Sequence, residues 1–402
     1  MSIKKSWKQV ERKRVFLFCL FSLLAWRLWL QVFLWLGWLV IPLGDNFLGG
    51  GLQHFLEHPG LWPWSNFDGE HYLAIAHNGY GKYEQAFFPF FPFLIKFIAG
   101  PFKENLFALL LSSLTISHFA LFGSLVILYL LIKEDFDQRI SLWSIFFLLA
   151  FPTSFFLIST YNESLFLFLV LSSFYAARKG RWWIAGICGV FASMTRLTGV
   201  LLLPALFMEW SIQQNINLLN KNELKDILFH FLKLSFSKFI PILIVPLGLI
   251  FYMHDLSVNY QDPLMFVHAQ PVFGAQREVD KLILPYQVLW RYLKMISETK
   301  LNPLYFTVWL ELMTSIGFFG LLIFAYLKKV RQSYLVFAFA SYLLPTFTGT
   351  LLSMPRFVLV LFPGFIALAL IKNVFLKALI LGVSIILLII STILFTRGYF
   401  VS

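Results

Sequence analysis

Several ordinary ingredients of a soluble protein are scarce or missing here. Cysteine is almost absent: only Cys19 and Cys188 occur, both within apolar runs, which leaves no disulfide framework and no thiolate metal cluster. Charged residues make up only 13% of the chain, and no hydrophilic stretch is long enough to fold a separate soluble domain. No glycine-rich loop of the Walker or Rossmann type appears, and no internal repeat with a clear period is visible.

What is present is apolar bulk. Hydrophobic residues account for 59% of the 402 positions, Phe alone supplies 48, and the mean hydropathy is +0.76. These values identify an all-α polytopic membrane protein, read as a single domain over residues 1–402. The formal charge of +12 does not imply nucleic acid, because Lys and Arg sit in short loops where they orient a chain in a bilayer. About 11 spans are expected, near 15–43, 105–132, 140–159, 163–177, 182–195, 197–209, 239–254, 303–327, 333–352, 356–371 and 374–395. The first is read as an uncleaved transmembrane helix, since no small-residue cleavage site ends its apolar run. With the basic N-terminus cytoplasmic and residues 182–209 split into two short helices at Arg196, every basic cluster falls on the cytoplasmic side. The C-terminus, the first loop at 44–104 and the long loop at 255–302 then face outward.

That first outward loop carries the densest polar stretch, "NFDGEHYLAIAHNGYGKYEQAFFPFFP", residues 66–92. Ser65, Asn66 or Asp68 can cap a helix that Asn78-Gly79 stops. The spacing predicts a short juxtamembrane helix with Phe67, Leu73, Ile75 and Ala76 toward lipid. Asp68 and His71 lie three apart and share a face, whereas Glu70 points away. Asp68 can therefore be a cap or a base. The other polar residues assigned outward are Asn162 and Glu163 in a tight turn, Arg196 within an apolar run, and Arg356 after Pro355. Acids and arginines on one face suit chemistry in which a phosphate is held and a hydroxyl deprotonated beside the bilayer.

The stretch "FDGEHYLAIAHNGYGKYEQAFFPFFP" resembles the signature of the PIG-V family of membrane mannosyltransferases, which runs roughly W-D-x-x-H-F, I-A, G-Y, Y-E, A-F-F-P-x-x-P. "YNESLF" (161–166) is similar to the family's Y-S-E-S-L-F turn, "SMTRLTGVLLL" (193–203) to its S-R-x-N-G element, and "PRFVLVLFP" (355–363) to its late arginine motif. Phe67 stands where Trp is usual, Asn162 where Ser is common, and Thr198 in the Asn position after Arg196.

The resemblance implies a GT-C glycosyltransferase fold, a polyprenyl-phosphate sugar as donor, and Asp68 as general base for inverting transfer to a glycolipid or glycan acceptor. Glu70, His71, Tyr80, Glu84, Asn162, Glu163, Arg196 and Arg356 become candidate substrate-binding residues. Phe87, Phe88, Pro89 and Pro92 become a candidate groove for the lipid tail, while the prolines are read first as breaking a helix that returns the chain to the membrane, and both roles are compatible. No cofactor is expected: Asp68-x-Glu70-His71 is a weak metal pattern, and arginines can neutralise a monophosphate leaving group. The implied place is a cell membrane, the plasma membrane for a prokaryotic chain, with the site on the outer, periplasmic or lumenal face. A transporter or flippase is the rival reading, but it calls for broken helices in repeats with midplane polar residues.

Overall fold

A computed structural model describes residues 2–44, 47–102, 105–216, 236–273, 283–299 and 302–401. Helices dominate: α1 (Ser2–Val40), α2 (Gly51–Glu57), α3 (Asp68–Asn78), α4 (Phe90–Ala99), α5 (Leu106–Ile132), α6 (Gln138–Leu149), α7 (Glu163–Arg178), α8 (Trp182–Thr195) and α9 (Leu202–Gln213) form the first half. The second half holds α10 (Phe236–Leu243), α11 (Leu247–Tyr260), α12 (Met265–His268), α13 (Pro285–Glu298), α14 (Pro303–Leu327), α15 (Gln332–Thr346), α16 (Met354–Phe357), α17 (Phe362–Leu370) and α18 (Val374–Thr396). No strand occurs among the described residues.

Side-chain caps start several of these helices. Asn105 accepts from Ala108 N at 2.7 Å, Asp137 from Ile140 N at 2.9 Å, and Asn302 and Asn373 each from the amide three residues on at 3.1 Å. Each satisfies one of the amides that a helix start leaves without a partner.

Among the described residues, four helical segments are long and apolar enough to cross a membrane: Lys13–Val40, Leu106–Ile132, Pro303–Leu327 and Val374–Thr396. The other expected spans are shorter or broken, and proline marks most breaks. Residues 140–159 become α6 and a 3₁₀ turn, Ser154–Ile158, on either side of Pro152. Pro246 separates α10 from α11, and α15 ends beside Pro345. Proline removes an amide and clashes with the preceding turn, so a continuous apolar run need not be a continuous helix. The expected division of 182–209 does appear. Arg196 is extended (φ −152°, ψ 147°) between α8 and a 3₁₀ turn at Leu197–Leu201. Gly199 permits it, since a Cβ there would lie 2.3 Å from the Ala192 carbonyl carbon.

In the core, α7 packs against both α5 and α8, while α1 lies along α18. The N-terminus of α7 therefore sits at the centre of the bundle, and the site grows around it.

Candidate active site

The chain segment before α3 is fastened to the turn before α7. Thr160 N donates to Trp64 O at 2.9 Å, the Ser65 and Ser113 hydroxyls both meet Thr160 Oγ1 (2.7 and 2.8 Å), and the Tyr161 hydroxyl donates to Asn66 O at 2.8 Å. The cap expected of Ser65, Asn66 or Asp68 does not form. Phe67 takes the N-cap position, and Asn66 instead accepts from Gly49 N (2.9 Å) and donates to Phe395 O (2.8 Å). Nor does α3 turn its apolar face to lipid: Leu73, Ile75 and Ala76 are buried in the protein, because α4 and α5 pack over them. Its stop at Asn78 is as expected, with Gly79 at φ 81°.

Three non-glycine residues with positive φ stand close before site residues: Phe67 (58°) before Asp68, Tyr83 (69°) before Glu84, and Ser353 (66°) three before Arg356. Such conformations cost about 1–3 kcal/mol each and persist only where their surroundings enforce them. At Phe67 the enforcement is visible, since its amide donates to Phe47 O at 3.0 Å and its ring packs on Phe395 and Phe400.

These segments bring four charges together. Arg356 of α16 donates to Asp68 Oδ2 across 288 residues of sequence, and its Nε lies 3.3 Å from Glu163 Oε1. Arg196 donates to the same Glu163 oxygen at 3.1 Å. Glu163 is only 2% exposed, and its second oxygen, Oε2, is buried without a hydrogen-bond partner. Arg356 Nε likewise lacks a well-aligned acceptor. Both guanidinium groups lie over aromatic rings, Arg356 over Tyr161 (5.4 Å) and Arg196 over Phe357 (5.0 Å), which helps offset their desolvation. Asn162 does not join the ion network; it donates to Thr195 O at 3.1 Å and ties the two turns together.

A second polar cluster flanks the first. His71 Nδ1 meets Glu84 Oε1 at 3.1 Å, and the other Glu84 oxygen accepts from Gly81 N at 2.7 Å. The imidazole stacks on Phe87 and meets the edge of Phe273. Burial works against the imidazolium, but Glu84, Asp68 and Glu70 outweigh it and raise the His71 pKa. Burial pushes Glu70 up to about 7, against smaller opposing effects of His71 and the Gly51 amide. Tyr80 serves the fold: its hydroxyl donates to Phe87 O at 2.7 Å and its ring stacks on Tyr252.

A cavity of about 340 Å³ opens onto the first cluster. Asp68, Asn162, Glu163, Arg196 and Arg356 are among its polar lining residues, and Leu344, Leu352, Phe357 and Val360 among its apolar ones. Of the expected groove, Phe87 and Phe88 reach the wall, whereas Pro89 precedes α4 and Pro92 is buried within it. His71, Glu70, Glu84 and Tyr80 stand behind the lining. Thr195, Gln270 and Phe273 also line it and went unnoticed in the sequence. Thr195 adjoins Arg196 and could have been found from that motif, but no pattern marks the other two.

Among the described residues no three His, Cys, Asp or Glu side chains group as metal ligands.

The sequence profile of the mannosyltransferase (PIG-V) family matches residues 53–272, more than half of the chain. That region includes Asp68, His71, Glu163 and Arg196, with Arg356 beyond it. No significant match is found among curated proteins. Among solved structures the chain is similar to the Archaeoglobus fulgidus oligosaccharyltransferase complex with Zn and sulfate, at 15% identity and a TM-score of 0.46, over 85% of this chain and 49% of that one. It is also similar to the same enzyme tethered to an acceptor peptide containing the NVT sequon (13% identity, TM-score 0.43, 93% of this chain and 55% of that one). The chain thus spans about half the length of these structures.

Proposed function

The chain belongs to the mannosyltransferase (PIG-V) family, and from that premise we propose that it is a membrane glycosyltransferase of the GT-C type. It moves a hexose, mannose by family, from a polyprenyl-phosphate carrier to a hydroxyl of a lipid-linked or envelope glycan, on the side of the membrane that holds Asp68. The observation that carries this reading is the contact between Asp68 and Arg356 beside Glu163 and Arg196, in a cavity lined by both ionic and apolar side chains.

In the proposed reaction, Asp68 takes the proton of the acceptor hydroxyl as that oxygen attacks the anomeric carbon from the side opposite the phosphate. The bond from that carbon to the phosphate oxygen breaks, polyprenyl phosphate leaves, and the anomeric configuration inverts. Arg356 and Arg196 suit the leaving phosphate, whose charge grows in the transition state and which two permanent cations can neutralise. A phosphate that recruits Arg356 also loosens its hold on Asp68, so donor binding frees the base. Glu163 keeps both arginines in place, and its unpartnered Oε2 suits a sugar hydroxyl, the donor that a buried acceptor lacks.

The size of the cavity supports a lipid-borne donor. At about 340 Å³ it lies near the small end of the roughly 300–1,000 Å³ usual for ligand pockets. It can take a sugar phosphate and the first isoprene units against Leu344 and Val360, while the rest of the tail stays in the bilayer. Mass spectrometry of lipid and glycan extracts from cells with and without the protein tests the proposal. A product one hexose heavier that requires the protein is expected; identical extracts would overturn it.

A further inference from the structure

Helix α13 (Pro285–Glu298) has three distinct faces. At 100° per residue, Val288, Tyr292 and Met295 fall on one side, Gln287, Arg291, Lys294 and Glu298 on a second, and Tyr286, Leu289, Trp290 and Leu293 on a third. The first side packs into the protein: Val288 and Tyr292 are buried, and Met295 rests on the core. The third is apolar apart from exposed Ser297 and is open, with Tyr286 at 66%, Trp290 at 71% and Leu293 at 54% exposure. A helix needs one apolar stripe to dock on its own protein, so the second stripe has another occupant.

We infer that this second stripe lies in the lipid interface, with α13 parallel to the membrane on the cavity's side. Four observations carry the assignment. The chain is a membrane protein, and α14, one of the four candidate spans among the described residues, begins at Pro303, five positions after Glu298. Those five steps reach at most about 18 Å, so the end of α13 stays near the membrane boundary. The open stripe continues into the lipid-facing side of α14, where Leu304, Trp309 and Met313 are exposed. The residues at stake include Tyr286, Trp290, Tyr305 and Trp309, and Tyr and Trp prefer the headgroup level. Lys294 and Glu298, on the polar side, are each 65% exposed, as a water-facing side requires. An apolar stripe beside a charged one, at low overall hydrophobicity, is the pattern of a helix lying in an interface rather than crossing it.

The same helix is tied to the cavity. Arg291 donates to Gly349 O at 2.8 Å; the Tyr292 hydroxyl donates to buried Glu311 at 2.6 Å and accepts from Leu351 N at 3.2 Å. Glu311 also receives Ser353 N at 3.3 Å. The loop that contributes Thr348, Leu352 and Ser353 to the cavity, and leads into Arg356, is therefore fastened to a helix whose height the bilayer sets. The inference rests on the membrane reading alone and stands whether or not the transfer reaction does.

The test uses the full chain in lipid nanodiscs, one protein per disc, carrying an environment-sensitive fluorophore at Trp290→Cys or at Lys294→Cys, with the unsubstituted chain as labelling blank. Both positions are exposed, so neither change removes packing. The label at 290 should be quenched by nitroxides placed shallowly on the acyl chains and shielded at least several-fold from a water-soluble quencher, and the label at 294 should show the reverse. Equal aqueous quenching at both positions would overturn the inference. So would protection of position 290 that appears only when two copies share a disc, or only when another protein is added.

Discussion

Helix α7 carries an ion network at each end, and the two differ in how completely their bonds are made. At the far end from the cavity, Glu209, fully buried, accepts from Arg331 Nε (2.6 Å) and Nη2 (2.7 Å), Ser333 (2.7 Å) and Gln213 (2.8 Å). Arg178, at the C-terminal end of α7, holds both oxygens of Asp135 at 2.6 and 2.8 Å and reaches the Tyr334 hydroxyl at 2.9 Å. Every oxygen of Glu209 and Asp135 has a donor. At the cavity end, Glu163 Oε2 and Arg356 Nε are buried with bonding capacity unused. A saturated network can only hold the bundle together; one that keeps bonding capacity beside a cavity can also take a ligand. The unused capacity marks the cavity end as the candidate site.

The contrast can be broken in both directions. Glu209→Gln should have the largest effect on stability, costing about 3–5 kcal/mol because Arg331 and Arg178 lose their common buried partner. Thermal unfolding in detergent should show this, while transfer per folded molecule stays near the parent value. Arg356→Lys should act the other way, lowering transfer by about 10²-fold, since an ammonium cannot make the paired contacts of a guanidinium to phosphate and Asp68. Its melting temperature should move less than that of Glu209→Gln, and equal shifts would erase the distinction drawn here.

The smallest expected effect concerns Glu70. Its folded pKa of about 7 stands above the ordinary value of 4.5, so the folded state holds the proton more tightly than the unfolded one. The associated stability is complete below pH 4.5 and is lost as pH rises through 7. Glu70→Gln should flatten the decline between those limits and leave a smaller part from His71, whose pKa Glu84 and Asp68 still raise and whose contribution falls at higher pH. Unfolding temperatures of the two proteins across pH 4–8 check this.

Much of the site was legible in the sequence because charge is expensive in a membrane. In so apolar a chain Asp68, Glu163, Arg196 and Arg356 stand out, and the alternation of basic loops placed them on one face. Their pairing across 288 residues was not legible, and neither was the clasp at Glu209, whose partners Arg331 and Ser333 lie more than 120 residues further along the chain. The apolar lining of the cavity was also invisible, since Leu344 and Val360 look like every other aliphatic residue in their runs. For the fold, apolar length located the four long helices but not the interruptions at Pro152 and Pro246, where hydrophobicity continues and the backbone does not. The lipid-facing side expected for α3 failed for a related reason. Amphipathic spacing shows that a face is buried, but not whether protein or lipid covers it, and here α4 and α5 do.

The central claim is that Asp68 is the base of a lipid-sugar transfer. It is tested most directly with the purified protein, radiolabelled polyprenyl-phosphate mannose and an envelope-lipid extract as acceptor, comparing the parent chain with Asp68→Asn at equal folded amount. The account predicts labelled glycolipid from the parent and a fall of about 10²–10⁴-fold in the variant, the range that a positioned general base supplies. Transfer by Asp68→Asn at the parent rate would contradict it.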